Sequence, residues 1–190
     1  MKKNVFSGFV ARYSTGISLR ILSQVGLLIA LAFVFERLIP IVSVPTIRIT
    51  LAFIPMMLCA MLYGPIWGAV AFGISDILGW PIMGLAPIPL ILASRILSGF
   101  IFGLILHREN LKLWPHAVFS ACSTQVICGM GLTTLGLAQV FGSPYIPFLV
   151  SRLPQFVILI ALQIAVFPVL VKLRKTLRKI GVILDGKFVG

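Results

Sequence analysis

The stretch TIRITLAFIPMMLCAMLYGPIWGAVAFGISDILG, Thr46–Gly79, decides how the rest of the chain is read. Residues 49–63 are almost wholly apolar, Gly64-Pro65 interrupts them, and a second apolar run continues over 65–83. A helix needs about 20 apolar residues to cross a bilayer, so the first run is short for a full span, and it carries Pro55. Glycine tolerates a reversed backbone, and proline cannot serve as the interior of a helix entered before it. The pair therefore breaks the run with almost no loop, and the two segments are expected to form a tight hairpin.

Outward from that hairpin the chain stays apolar. Of 190 residues 59% are hydrophobic and only 11% charged, against about 25% charged in an ordinary soluble domain. This composition describes an all-α integral membrane protein. Six apolar segments are candidates for transmembrane helices: 18–39, 49–63, 65–83, 87–107, 115–140 and 146–173. Prolines and a glycine in WPIMGLAPIP separate the third from the fourth, and the fourth ends at HRENLK. No second domain, low-complexity tract or repeat is visible. We expect one membrane-embedded domain over 1–190, with 1–17 a cytoplasmic N-terminal segment and 174–190 a basic cytoplasmic tail. The first 20 residues are polar and basic and show no cleavable signal pattern. The tail KLRKTLRKIG is expected to lie against anionic headgroups.

The formal charge of +12 comes from 16 basic and four acidic residues. With both termini cytoplasmic, twelve basic residues fall on the cytoplasmic side, as the positive-inside rule requires. Topology thus accounts for a charge that could otherwise suggest nucleic acid. The remaining four are all arginines, Arg37, Arg48, Arg95 and Arg152, each at an outer helix end or within a span. A guanidinium offers a planar fork that grips a carboxylate with two bonds, which an ammonium does not. Four such groups on the disfavoured side point to an anionic ligand received from outside.

Intramembrane charges are expensive and normally face a cavity or a partner. Arg152 and Arg95 open descending helices and either bind the anion or snorkel to the outer headgroups. Arg48 is either a site residue or an interfacial anchor; Arg37 follows Glu36 and reads as a surface residue. Asp76, in GISDILGW, is the one acid well inside a span. It either pairs with one of the arginines or accepts the amidine-like edge of a ring. Trp80, one turn later, is either an interfacial belt residue or a stacking surface. Gln155, just beyond Arg152, completes the candidate ligand-binding set.

Small residues recur four apart at Gly26/Ala30, Ala69/Gly73, Gly99/Gly103 and Ala161/Ala165, a spacing that lets helices approach closely. Most serve internal packing, while Gly26 and Ala30 are candidates for an outer seam facing another membrane protein. Cys59, Cys122 and Cys128 show no CxxC and no ligand-spaced histidine, so they read as buried thiols, not as a metal site or disulfide. No P-loop or GxSxG motif occurs, and the four acids are too scattered for two-metal chemistry. The chain is read as no enzyme, needing no cofactor. No polar series runs through all the segments, as a selective channel would want.

The opening stretch, with SRILSGFIFGLIL and LTTLGLAQVFGSPYIPFLVSRLPQFVILIALQ, resembles the substrate-binding S components of energy-coupling factor (ECF) vitamin transporters, specifically the folate group. The resemblance implies a six-helix bundle in a bacterial plasma membrane. It implies binding of folate or a related vitamin near the outer face, below loops that include the one between helices one and two. It also implies partnership with a transmembrane coupling subunit and two cytoplasmic ATPases, docked through Gly26 and Ala30, although alanine is usual at the first of these. Where folate members carry an Asn-Thr-Leu-Trp-like stretch, this chain reads Thr133-Thr134-Leu135-Gly136. Either another aromatic, Phe141, Tyr145 or Trp80, supplies the lost stacking face, or the ligand differs. A self-sufficient carrier of an organic anion and a ligand-free structural subunit are the alternatives from other classes.

Overall fold

A computed structural model of the protein describes residues 19–37, 42–43, 48–83, 88–107, 113–142 and 144–179. Its helices are α1 (Leu19–Arg37), α2 (Phe53–Tyr63), α3 (Pro65–Met83), α4 (Pro89–Leu106), α5 (Leu113–Ser123), α6 (Thr134–Phe141) and α7 (Tyr145–Lys179). A π-helical segment, Thr124–Thr133, joins α5 to α6, so that residues 113–141 form one continuous rod. Six helical rods result, one for each apolar segment read from the sequence. Between α1 and α2 a short antiparallel hairpin pairs β1 (Val42–Ser43) with β2 (Arg48–Ile49). Residues 1–18 and 180–190, with the whole of the expected N-terminal segment and the end of the tail, lie outside the described residues.

Length and composition alone suffice for a bilayer crossing in Pro89–Leu106, Trp114–Phe141 and Tyr145–Leu177. At 19 residues each, α1 and α3 are about 28 Å long, close to the hydrocarbon thickness. Helix α2, with 11 residues, is about 16 Å long. It cannot span, and it is instead wrapped by its neighbours: Phe53, Met56, Met57, Cys59, Ala60, Met61 and Tyr63 are all buried. Pro55 sits in its first turn, where no backbone donor is needed. The outward faces carry Leu27, Ile77, Phe119, Val157 and Val169, apolar side chains suited to lipid.

Gly64 alone separates α2 from α3, at φ +91, a conformation that a side chain would oppose. The hairpin read from the sequence is therefore present, and its geometry explains the glycine. Below the outer ends, α3 and α4 touch through their backbones. A Cβ on Gly99 would lie 2.3 Å from the Gly68 oxygen, and one on Gly103 would lie 2.2 Å from Pro65 Cα. The Gly99/Gly103 pair thus packs inside the bundle, as expected. This inner end is closed by the His107 ring against Gly64 and by Arg174, whose Nη1 donates to the Leu106 carbonyl at 3.1 Å.

The C-terminal run departs from expectation. Lys172–Lys179 continues α7 as helix, and Arg174 is buried against α4. Leucine, lysine and arginine are good helix formers, so an established helix propagates through them. The expected boundary at residue 173 is overrun for that reason.

Candidate functional site

At the end that carries Glu36, Asp76 and Arg152 the bundle opens around a cavity of about 610 Å³, within the usual range for small-molecule sites. Each helix contributes the face that its turn spacing allows. On α7 these residues are Arg152, Gln155, Phe156, Leu159 and Gln163; on α3 they are Phe72, Ser75, Asp76 and Trp80. Helix α4 supplies Arg95, Ser98 and Phe102, and the π-helical segment supplies Gln125, Cys128 and Gly129. Of the candidate ligand-binding residues, Arg152, Arg95, Asp76, Trp80 and Gln155 all line this one cavity. Arg48 lies in β2, and its side chain falls outside the described residues.

The charges divide into two arrangements. Arg95 Nη2 donates to Glu36 Oε1 at 3.0 Å, and its Nε stands 3.5 Å from Asp76 Oδ1. Asp76 Oδ2 accepts the Trp80 indole N–H at 2.9 Å. One guanidinium is thus shared by two buried carboxylates, which tie α1 and α3 to α4. Arg152 is held differently. Its Nη1 donates to Thr134 Oγ1 at 3.2 Å, its Nε to Gln155 Oε1 at 3.3 Å, and its Cζ lies 5.5 Å from the Phe156 ring centroid. Among the described residues both ion pairs belong to Arg95, and the partners given for Arg152 are neutral. A buried cation without a counter-ion costs several kcal/mol unless an anion reaches it. An anion offered to this cavity therefore gains most at Arg152.

Thr134 is the residue that aims Arg152. Its hydroxyl donates to the Gly129 carbonyl at 2.8 Å and so cannot turn away from the guanidinium. The wide i→i+5 winding of Thr124–Thr133 brings Thr124, Gln125, Cys128, Gly129 and Thr133 to the cavity wall. Ser94, packed against this segment, donates to the Cys128 carbonyl at 2.9 Å and meets Thr133 Oγ1 at 2.7 Å. π-Helical turns are rare and concentrate at functional sites; no simple sequence period announces one.

Two readings are corrected here. Arg37, expected at the surface, lines the cavity, and a Cβ on Gly79 would collide with its guanidinium at 1.8 Å. Glu36, passed over as its surface neighbour, is 6% exposed and holds Arg95. A carboxylate among only four in the chain, at the outer end of a span, was the available signal. Gln125 and Gln163 were also passed over, because neutral amides inside apolar runs carry no charge signature. All three cysteines are free thiols; Cys59 and Cys128 are buried, as read, whereas Cys122 is only half-buried.

Gly136 does not line the cavity. A Cβ there would meet Ile91 and Leu90 at 3.1 and 3.4 Å, so the position faces the first turn of α4. Of the three aromatics considered as replacements, Trp80 and Phe141 are on the cavity wall. Tyr145 instead donates its hydroxyl to the Met130 carbonyl at 2.9 Å. Gly26 and Ala30 are exposed on α1, and a Cβ on Gly26 would meet nothing within 4 Å.

These features define a membrane-embedded helical bundle with a charged binding cavity at one end. The family model of the substrate-specific component of ECF transporters matches residues 21–171, and the chain belongs to that family. It is a substrate-binding transport subunit and not an enzyme. Solved structures share its fold, two of them as follows. One is FolT bound with folic acid, at 24% identity and TM-score 0.71, covering 79% of this chain and 91% of that one. The other is the S component for biotin of an ECF-type ABC transporter, at 18% identity and TM-score 0.65, covering 84% and 95%. Compared with curated protein sequences, the chain has no match.

Proposed function

We propose that this subunit captures folate, or a related pterin with an anionic tail, at the outer face of a bacterial plasma membrane. Arg152 carries the reading: it is a 5% exposed guanidinium on the cavity wall whose given partners are neutral, while the other central arginine is already shared by two carboxylates. An anionic tail would complete Arg152, with Gln155 beside it. Asp76, held by Arg95 and Trp80, would accept the amino edge of the ring, and Arg48 would belong to the closing hairpin. Folate matches this chemistry as a flat donor-rich ring joined to a dianionic tail. The exposed seam at Gly26 and Ala30 supports docking to a transmembrane coupling subunit, which two ATPases would drive, with both termini of this chain cytoplasmic.

Mass spectrometry of the small molecules extracted from the purified protein tests the substrate directly. Folate binding by Arg152→Ala and Asp76→Asn tests the roles. A charge-assisted pair contributes about 1.5 to 3 kcal/mol, so each variant is expected to bind roughly 10- to 100-fold more weakly. Wild-type affinity in both would remove the assignment. Uptake into proteoliposomes only when coupling subunit and ATPases are present tests the partnership; uptake by this chain alone would overturn it.

A further inference from the structure

The charged residues do not reach the far end of the cavity. The last cavity residue on each helix, counted inward from the mouth, is Met56 on α2, Phe72 on α3, Phe102 on α4 and Gln163 on α7. Thr124 and Gln125 stand in the same place at the start of the π-helical segment. Phe72 and Phe102 are stacked there, centroids 6.0 Å apart with an interplanar angle of 26°. The floor is therefore an apolar slot with two glutamine amides, and the cavity's acids and arginines all lie nearer the mouth.

The Gln163 amide is expensive where it stands. Gln163 is 4% exposed and its Oε1 has no hydrogen-bond partner; Gln125 is 8% exposed. Each unsatisfied buried polar atom costs about 1 to 3 kcal/mol. The Phe156 ring packs at Gly129, and from that level Gln125 is one turn inward on its helix and Gln163 about two. The backbones of the two glutamines accordingly lie within roughly one helical pitch, about 5 Å, of each other in height, with Gln125 Oε1 turned toward Gly129. Above them on α3, Ser75 Oγ is also buried, on the cavity wall and without a partner.

We infer that this floor is a second recognition point, where Gln163 and Gln125 receive an uncharged planar ring edge bearing both an N–H donor and a carbonyl-type acceptor. A lactam, a cyclic urea and the N–H/carbonyl side of an aminopyrimidinone have such an edge, the neighbouring amino group of the last being left to Asp76. A primary amide supplies one acceptor and two donors, so it matches that edge in a way that a carboxylate or a guanidinium cannot. Stacked phenyl rings suit the ring faces. Arg152 and Gln163 lie eleven positions apart on one face of α7, about 16 Å along the axis. The vitamin thus enters ring first and leaves its anion at Arg152, and one that is anionic at both ends is rejected. This deepens the preceding reading, since it takes the anionic end to be at Arg152.

The test compares purified wild type, Gln163→Leu and Arg152→Gln by calorimetry with folic acid, with pterin (ring, no anion) and with 4-aminobenzoylglutamate (anion, no pterin ring). Gln163→Leu is expected to lose roughly 10-fold in affinity for folic acid and pterin and to keep 4-aminobenzoylglutamate. Its unliganded melting temperature should be unchanged or higher, because an unsatisfied buried amide has been removed. Arg152→Gln should show the reverse pattern, losing the two anions and keeping pterin. Wild-type binding of folic acid and pterin by Gln163→Leu would overturn the floor assignment, as would a lower unliganded melting temperature with all three probes weakened alike. Unchanged folic acid binding by Arg152→Gln would instead overturn the anion assignment and leave the floor standing. If wild type binds biotin and not folic acid, folate falls as substrate, and the same two variants are compared on biotin and its neutral methyl ester. Binding of neither vitamin overturns both readings.

Discussion

Helices α3 and α4 meet in two different ways along their length. At the inner end Gly68, Gly99 and Gly103 let the backbones touch, with no room for a single added carbon. Toward the other end the same two helices carry Asp76 and Arg95 on the wall of a cavity of about 610 Å³. Small residues convert helix contact into stiffness, and large polar ones convert helix separation into a site. The closed end can then hold the open end in shape without contributing to recognition.

Breaking the closed end should have the largest effect. Gly103→Leu drives a side chain into Pro65, whose Cα is 2.2 Å from the new Cβ position. Backbone has to move, so we expect loss of more than about 3 kcal/mol, read as loss of monodisperse protein on size exclusion. Glu36→Gln attacks the open end at the α1–α4 tie. Arg95 is 41% exposed at its side chain, which reduces the loss to about 1 kcal/mol in unliganded stability. Because Arg95 then has one carboxylate fewer, affinity for an anionic vitamin should not fall; a weaker affinity would mean that Glu36 itself meets the ligand. Trp80→Phe removes one hydrogen bond to Asp76 and should cost under about 1 kcal/mol, seen as a shift of a few degrees in melting temperature. Smallest of all, Gly26→Val adds bulk where a Cβ meets nothing within 4 Å. Stability and vitamin binding should be unchanged, and uptake with the coupling subunit and ATPases should be lost if α1 is the docking seam.

The same contrast shows which residues could be read without a structure. Gly64-Pro65 was legible because a helix break is a local backbone event. Arg152, Arg95 and Asp76 were legible because charge inside an apolar run is costly wherever it occurs. Glu36 and Arg37 look alike as a charged pair at a helix end, and only the approach of α3 and α4 distinguishes an interior pair from a surface one. Gly136 misled in the opposite direction: a cavity position by the family resemblance, it faces the first turn of α4.

By itself the sequence determined that this is an integral membrane bundle of six helical rods, where the chain turns between α2 and α3, and which buried charges need explaining. Hydropathy, backbone freedom and the cost of a charge in lipid act within a few residues of one another, so the order of residues is enough to express them. Tertiary structure alone decided that Glu36 and Asp76 share Arg95 while Arg152 keeps neutral partners, that residues 124–133 wind as a π-helix, and that Gln163 lies on the floor beneath them. Each depends on which faces of separate helices converge, and that convergence is set by packing between segments far apart in the chain.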